Sequence, residues 1–272
     1  QAVTSFDTDG FTVGSNNGYS QNGYNFASWN WLGANGTTAN TDGSISSTVS
    51  ANTTSGFSIV TFTGTGANAT VGHGLGSVPK MIIVKNASGV HDWDVYHQAL
   101  GNTKRIHLNT TGAENTGTHV WNSTTPTSSV FSVGTADNTN KSGSTMLAYC
   151  FAEKQGYSKF GSYTGNGNAD GTFVYTGFKP AFVMVKSTGS GGWLINDTKR
   201  SPHNITGLTL YADSNASEES YTIGASEWDF LSNGFKNRDA GSSQNTSGTS
   251  YIYMAFAEQP LVGTNNVPCT AR

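Results

Sequence analysis

The sequence contains the stretch Val78-Pro79-Lys80-Met81-Ile82-Ile83-Val84-Lys85 and, further along, the related stretch Lys179-Pro180-Ala181-Phe182-Val183-Met184-Val185-Lys186. Each stretch has a proline, then large apolar residues, then a closing lysine, and the two prolines lie one domain length apart (180 − 79 = 101). A repeat of this period predicts two tandem domains rather than a solenoid of short units.

The repeat extends to both sides of these stretches. An aromatic-Thr-Gly-x-Gly segment precedes each of them, at Phe62–Gly66 and at Tyr163–Gly167, and a tryptophan follows each, at Trp93 and at Trp193. The predicted divisions are a closing hairpin of an incomplete upstream repeat at 1–32, a linker or long loop at 33–55 with a candidate short edge strand around Ser44–Val49, a first repeat at 56–155, and a second repeat with a C-terminal tail at 156–272.

The composition favours strands and turns over helices. Charged residues make up 11% of the chain, against roughly 25% in an ordinary globular domain. Short hydroxyl and amide side chains take their place, and these side chains compete with the helix backbone for hydrogen bonds. We therefore predict an all-β chain of two tandem antiparallel, jelly-roll-like β-sandwich repeats. The strand candidates of the first repeat are 57–63, 69–72, 80–86, 92–97, 104–109, 118–121, 129–133 and 145–153, and those of the second are 159–164, 171–175, 180–187, 192–196, 207–212, 220–223, 227–231, 234–237 and 250–258.

Two of the predicted strands are apolar without alternation, Met81–Val84 and Phe182–Val185. Continuous apolar strands are typical of sheets that are covered on both faces. We expect a long loop or an adjoining subunit to lie over the second face. The junction between the repeats, Lys154–Ser158, is short, so the two repeats should also share an interface.

Residues 1–32 match only the end of a repeat. Phe11–Gly14 and Tyr24–Trp31 follow the same plan as Phe131–Gly134 and Met146–Glu153. An isolated hairpin is marginal in water. We expect this one to borrow a partner from an upstream domain, the next repeat or a neighbouring chain, and we expect that the polypeptide was once longer.

Charge and cysteine content exclude several classes of function. The net charge of −3 offers no basic surface for nucleic acid, and no apolar run approaches the roughly 20 residues that cross a bilayer. Cys150 and Cys269 are too few for a disulfide framework. Cys150 is predicted to be a small buried hydrophobe, whereas Cys269 is either free or an intermolecular thiol. No cofactor is predicted.

Several segments of the sequence resemble those of one family of virion proteins. They are Phe6–Gly14, Asp197–Arg200, Asp229–Lys236, Tyr251–Glu258 and Val267–Arg272. The chain is similar, over nearly its whole length, to repeat-containing tail-fibre or fibre-like proteins of tailed, largely marine, bacteriophages. The resemblance implies a virion-surface location, contacts with other virion proteins, a homo-oligomer with three-fold symmetry, and attachment to a host glycan or protein. It supplies no catalytic residues.

Paired carboxylates raise the alternative of a glycan-cleaving enzyme. Asp92 and Asp94 flank Trp93, but the second repeat has Gly192 and Leu194 at these positions. Glu227-Trp228-Asp229 has a similar pattern at another place in the second repeat. Because the repeats share the tryptophan and not the acids, we predict a protein that is not an enzyme.

Histidines and aromatic residues give the remaining candidate sites. His91, His97 and His107 lie on neighbouring predicted strands of the first repeat and are the candidate metal ligands, although solvent-facing or hydrogen-bonded histidines explain them more simply. Exposed aromatic faces beside polar residues suit sugar rings, while buried aromatic residues dominate sandwich cores. The candidate ligand-binding residues are Trp93, Trp121, Trp193, Trp228, His97 and Asp197.

Three functions remain open on these observations. The first is a phage tail-fibre or adhesin segment that displays polar loops for attachment to a host surface, with many weak contacts multiplied over several copies. The second is a purely structural virion protein, either a capsid decoration or a filament subunit. The third is a glycan depolymerase. The predicted display loops are Asn109–Thr118, Ala136–Ser144, Ser187–Gly192 and Asn237–Gly248.

Overall fold

The computed structural model of the chain describes residues 3–220, 227–240 and 243–258. The chain divides into two compact units, Gln1–Leu32 and Gly33–Arg272. Nearly all regular structure is antiparallel β-sheet, so the prediction of an all-β sandwich chain is confirmed. No helix of the described residues is long and apolar enough to cross a membrane.

The first unit is a short hairpin with one helical turn. Strands β1 (Val3–Phe6) and β2 (Phe11–Val13) pair, and helix α1 (Asn17–Ser20) follows with Asn16 as its N-cap. Residues 24–31, which the sequence predicts to be a strand like Met146–Glu153, form no strand here. In the second unit the corresponding strand lies between two partners, and the described part of the first unit offers no such pair.

The second unit contains two β-sandwiches, and each consists of a large and a small sheet. The first sandwich comprises β3 (Thr38–Asn40), β4 (Ser47–Asn52), β5 (Phe57–Thr63), β6 (Ala69–Gly72), β7 (Pro79–Asn86), β8 (Trp93–His97), β9 (Lys104–His107), β10 (Asn115–Thr116), β11 (Val130–Val133), helix α2 (Asp137–Asn140) and β12 (Thr145–Ala152). The second comprises β13 (Ser158–Thr164), β14 (Phe173–Tyr175), β15 (Phe182–Ser187), β16 (Trp193–Asp197), β17 (Leu208–Tyr211), β18 (Glu219–Ser220), β19 (Trp228–Leu231), β20 (Gly234–Asn237) and β21 (Ser250–Phe256).

The two large sheets share one strand order. It is β10-β9-β8-β7-β12-β5 in the first sandwich and β18-β17-β16-β15-β21-β13 in the second. The small sheets, β11-β6 and β14-β20-β19, also correspond, because β6 and β14 each pair with a strand that carries a fully buried phenylalanine, Phe131 or Phe235. The domain boundaries themselves stay a prediction.

Two predicted features of the first sandwich differ from the structure. Residues 33–55 are predicted as a linker or long loop with a candidate short edge strand around Ser44–Val49. The structure has two strands there, β3 and β4, and β4 pairs with β5 along its whole length because Val49 and Ile45 are buried in the core. The candidate strand at 118–121 is instead a hydrogen-bonded turn, which places Trp121 in the core. Residues 221–223, part of another candidate strand, lie outside the described residues.

Each large sheet has one apolar face toward its own small sheet and a second apolar face on the opposite side. The second faces of the two large sheets pack against each other. Phe151 contacts Phe160 and Phe256 across this interface, at ring-centroid distances of 6.0 and 6.1 Å. His97 Nε2 lies 3.2 Å from the Tyr253 carbonyl oxygen. The cover that the continuous apolar strands β7 and β15 require is therefore the neighbouring sandwich of the same chain, and neither a loop nor another subunit is needed for it.

The lysine that closes each repeated stretch holds the hairpin loop after it. Lys85 Nζ donates to the carbonyl oxygens of His91 (2.7 Å) and Gly89, and Lys186 Nζ donates to those of Ser187 and Gly189, both at 3.1 Å. Lys186 is fully buried, and burial lowers its pKa to about 8. Because a buried ammonium must be paired with acceptors, the lysine fixes the loop geometry.

The first glycine of each Gly-x-Gly segment lies close to a backbone carbonyl oxygen, and this contact occurs in both sandwiches. A side chain at Gly64 would start 2.2 Å from the Lys141 carbonyl oxygen, and one at Gly165 would start 2.4 Å from that of Thr246. The buried amides of Asn140 and Asn245 hold these segments in place through bonds to backbone groups of 65–67 and 166–168. Only glycine permits this close approach.

Candidate functional site

Three of the four candidate tryptophans are buried. Trp121 Nε1 donates to the Lys104 carbonyl oxygen at 3.1 Å, and Trp193 Nε1 donates to that of His107 at 2.8 Å. Trp228 packs against Phe235 and Tyr163 in the second core. Their rings are covered by protein, so the structure assigns them to packing rather than to a ligand.

Trp93 is the candidate tryptophan that reaches the surface. It is half-buried and stacks on Tyr149 at 6.4 Å between ring centroids, and Tyr149 stacks in turn on Phe57 at 6.3 Å. Trp93 occupies the same position in its sheet as the buried Trp193, because each pairs with the closing lysine of its repeat. Stacking on Tyr149 uses one ring face of Trp93.

His97 and Asp197 occupy equivalent positions at the ends of β8 and β16 and have the same local role. His97 Nδ1 accepts from the Ala99 amide at 3.2 Å, and Asp197 Oδ1 accepts from the Lys199 amide at 3.0 Å. Burial lowers the pKa of His97 to about 4, which keeps the imidazole neutral. Asp197 also pairs with Arg200 Nε at 2.7 Å. Both side chains are engaged in turns.

The three candidate metal ligands are not brought together. His97 lies in the inter-sandwich interface, His91 Nδ1 lies 3.1 Å from Asn138 Oδ1, and His107 Nδ1 lies 3.4 Å from Asp92 Oδ2. Within 3–220, 227–240 and 243–258, no group of three histidine, cysteine or acidic side chains has a metal-binding arrangement. Cys150 is a buried free thiol with a pKa raised to about 12 by burial, and Cys269 lies outside the described residues.

A polar cluster, formed by Asp92, Asp94, Arg105 and His107, lies where β8 begins and β9 ends. Arg105 donates to both carboxylate oxygens of Asp94, at 3.2 and 3.3 Å, and His107 Nδ1 lies 3.8 Å from Asp94. Asp94 has no exposed surface, and its burial raises its pKa although the charges of Arg105 and His107 act in the opposite direction. Asn109 holds Asp92 at 3.0 Å.

This cluster belongs to the first sandwich alone. In the second sandwich the strand register places Leu194 at the position of Asp94, Thr209 at that of Arg105 and Tyr211 at that of His107. Glu227, the other candidate acid, is buried in the second sandwich and lies on a different element. The polar cluster thus contains an ion pair, Asp94–Arg105, whose carboxylate is fully buried, so Asp94 is not open to a substrate.

Sequence reasoning missed an aromatic surface on the small sheet of the second sandwich. Phe173 and Tyr175 point outward from β14, and their exposed fractions are 44% and 64%, whereas Val174 between them is buried in the core. Gly234 lies opposite Tyr175, and Lys236 lies opposite Phe173. We call the outward side chains of β14 and their neighbours Asp170, Lys236, Asp229 and Arg238 the aromatic face.

The corresponding surface of the first sandwich is covered by the chain itself. Thr70 and Gly72 occupy the positions of Phe173 and Tyr175. The Ser44 amide donates to Thr70 Oγ1 at 2.9 Å, and Ser47 Oγ donates to the Gly72 carbonyl oxygen at 2.8 Å. A side chain at Gly72 would start 1.6 Å from Asn40 Oδ1, so a larger residue there would displace Asn40 from this cover.

The polar loops of both sandwiches lie at one end of the second unit. Strand pairing places the loops after β5, β7 and β9 beside the loop before β12, and the same holds after β13, β15 and β17. The two loop ends meet, because the Glu114 amide donates to the Thr188 carbonyl oxygen at 2.8 Å and the Gly191 amide donates to that of Thr111 at 2.9 Å.

Residues 1–260 match the family model described as a domain of unknown function, DUF7483. The chain belongs to the DUF7483 family. Comparison with the curated proteins and with the solved structures gives no match.

The DUF7483 match spans the N-terminal hairpin and both sandwiches. The matched region of this chain therefore contains the polar cluster of the first sandwich and the aromatic face of the second.

Proposed function

We propose that the chain is a component of a bacteriophage virion, a tail-fibre or adhesin segment that attaches the particle to a glycan on the host surface. The observation that carries the proposal is the common loop end, where loops from both sandwiches meet on a rigid double sandwich. Loops held in this way accept sequence change without loss of the core. The assignment to a virion rests on the resemblance to tail-fibre proteins.

The loops at this end have a composition suited to polar ligands. They are rich in glycine, serine, threonine and asparagine, whose backbone and side chains offer both donors and acceptors for hydroxyl groups. Weak contacts of this kind become useful when several copies act together, so the proposal includes a homo-oligomer on the virion surface, with a trimer implied by the resemblance.

The proposal contains no catalytic step. Asp94 and Glu227 are buried, and Asp94 is held by Arg105. A reducing-sugar assay on the purified chain, with Asp92→Asn and Glu227→Gln variants beside it, checks this point. We expect no sugar release from any of the three proteins, and release that depends on Asp92 or Glu227 would establish a depolymerase instead.

Two measurements test the proposed attachment. Immunogold labelling of intact virions with antibodies against the chain should decorate the tail fibres. Purified fluorescent chain should label host cells and should reduce virion adsorption in competition. Labelling of the capsid, together with no binding to host cells, would contradict the proposal.

A purely structural role in the virion is the second candidate, and the first unit favours it. Phe6, Tyr24, Phe26 and Leu32 are all more than half exposed. Apolar side chains exposed on one segment mark contact with another protein. Pull-down of other virion proteins by the chain, with no binding to host cells, would support this role over attachment.

A further inference from the structure

We propose that the aromatic face on β14 is a binding site for an uncharged saccharide. This inference rests on the proposed attachment function and deepens it, because it moves the main ligand contact from the loops to a sheet surface.

The two rings are presented together on a rigid support. Phe173 and Tyr175 are separated by one residue on β14, so they point to the same side and lie about 7 Å apart. Val174 anchors the strand between them in the second core, and Phe235 packs beneath it. Adjacent aromatic faces at this spacing can stack on successive rings of one sugar chain, whose C–H faces are apolar.

The rim of the aromatic face is polar but its charges are already paired. Lys236 Nζ lies 2.5 Å from Asp170 Oδ1, and Arg238 Nε lies 2.6 Å from Asp229 Oδ2. Arg238 also lies 3.8 Å from Asp170. Two cations and two anions leave no net charge to attract a charged ligand, while Asp170, 79% exposed at its side chain, keeps lone pairs for sugar hydroxyls.

The size of the surface favours a small ligand over a protein. The exposed parts of the two rings amount to roughly 200 Å². A stable protein interface buries about 800 Å² on each partner. Two rings with a polar rim match the footprint of one to three sugar units.

The first sandwich shows that an exposed surface is not required by the fold. There, residues 40–47 cover the equivalent positions, Thr70 and Gly72, through hydrogen bonds. A larger residue at Gly72 would displace the Asn40 side chain from this cover. The second sandwich therefore has aromatic residues at the positions that its counterpart keeps small for self-covering.

Affinity electrophoresis of the full chain tests the proposal, with gels that contain dextran, laminarin or alginate as the probes. We expect dextran or laminarin to retard the chain, and we expect the double variant Phe173→Ala/Tyr175→Ala to lose at least about tenfold in affinity. The variant Phe173→Tyr/Tyr175→Phe keeps both stacking faces and should bind normally.

A matched control is available in the first unit. Tyr24 and Phe26 have exposed fractions of 65% and 52%, close to those of Tyr175 and Phe173, so Tyr24→Ala/Phe26→Ala removes the same chemistry elsewhere and should leave retardation unchanged. Thermal unfolding of all variants checks that they are folded.

Several outcomes overturn the proposal. They are no retardation by any probe, retardation by alginate alone, or equal retardation of the wild type and the Phe173→Ala/Tyr175→Ala variant. If that variant still labels host cells like the wild type, the attachment function stands and the site on β14 falls. If the gels retard the wild type but not the Phe173→Ala/Tyr175→Ala variant, and the wild type labels no host cells, the site on β14 stands and the attachment function falls.

Discussion

The two sandwiches have the same strand order but differ in what covers their outer surfaces. In the first sandwich β4 pairs with the outer edge of β5, and residues 40–47 cover β6. In the second sandwich nothing equivalent to β4 precedes β13. Within the described residues, side chains bond the outer edge of β13 at Phe160, where Gln98 Nε2 donates to the carbonyl oxygen at 2.7 Å and Glu153 accepts from the amide.

This difference teaches that one sheet plan can be completed in two ways. Residues 33–55 supply an edge strand and a cover over β6 in the first sandwich. In the second sandwich the corresponding surface carries the exposed rings of Phe173 and Tyr175. An open sheet edge can pair with other chains. In the first sandwich β4 occupies this edge, whereas in the second sandwich the Gln98 side chain bonds to the edge strand at Phe160. The aromatic face of the second sandwich is then available for a ligand.

The largest expected effect comes from the contact that the two sandwiches share. Phe151→Ala removes a ring that packs on Phe160 and Phe256 across the interface. We expect a loss of about 4 kcal/mol in the free energy of unfolding, because a large buried cavity is left between the sheets. Urea unfolding followed by fluorescence measures it, with the exposed Val90→Ala as the control. A loss below about 1 kcal/mol would show that the interface is loosely packed.

The polar cluster of the first sandwich should depend on its partners. Asp94→Ala leaves the partly buried guanidinium of Arg105 without its carboxylate, and we expect a loss of about 3 kcal/mol. The triple variant Asp94→Leu/Arg105→Thr/His107→Tyr copies the second sandwich and should unfold within about 1 kcal/mol of the wild type. Equal losses in both variants, measured by urea unfolding, would mean that the two sandwiches are not interchangeable here.

The smallest expected effect is a pH dependence of the free energy of unfolding that comes from His97. The second sandwich has Asp197 at the equivalent position. Burial lowers the pKa of His97 to about 4 in the folded chain, so the unfolded chain takes up the proton first as the pH falls below about 6.5. Stability is therefore lost between about pH 6.5 and pH 4. The contribution of His97 should be about 2 kcal/mol between pH 6.5 and pH 5.

The variant His97→Asn checks this contribution, because an amide oxygen can still accept from the Ala99 amide but does not titrate. Urea midpoints at several pH values should show a shallower slope in the variant. Burial also lowers the pKa of His73, so part of the slope should remain. An unchanged slope would exclude His97 as its source.

Much of the fold could be predicted from the sequence because the repeats reinforce each other. The proline, the apolar run and the closing lysine mark β7 and β15 in the same way, and the strand bounds agree to within one or two residues at most positions. The sequence predicts β4 only in part, as a candidate short edge strand around Ser44–Val49. Serine, threonine and asparagine make most of it, and only Val49 and Ser47 are buried.

The surfaces were predicted less well than the strands. Composition does not distinguish a tryptophan in a core from one on a surface, and burial places Trp121, Trp193 and Trp228 inside. The alternation Phe173-Val174-Tyr175 held the missed signal, since an inward valine between two aromatic residues points both rings outward. Which polypeptide covers the second face of β7 depends on contacts between distant parts of the chain, and no local pattern encodes them.

The central claim is that the two large sheets cover each other's second apolar face. Hydrogen exchange of the full chain across a urea series, followed by mass spectrometry of peptides from β7 and β15, tests it most directly. We predict that both strands lose protection at one shared urea midpoint, because neither sandwich keeps its cover alone. Two well-separated midpoints, with one sandwich protected while the other is fully exchanged, would contradict it.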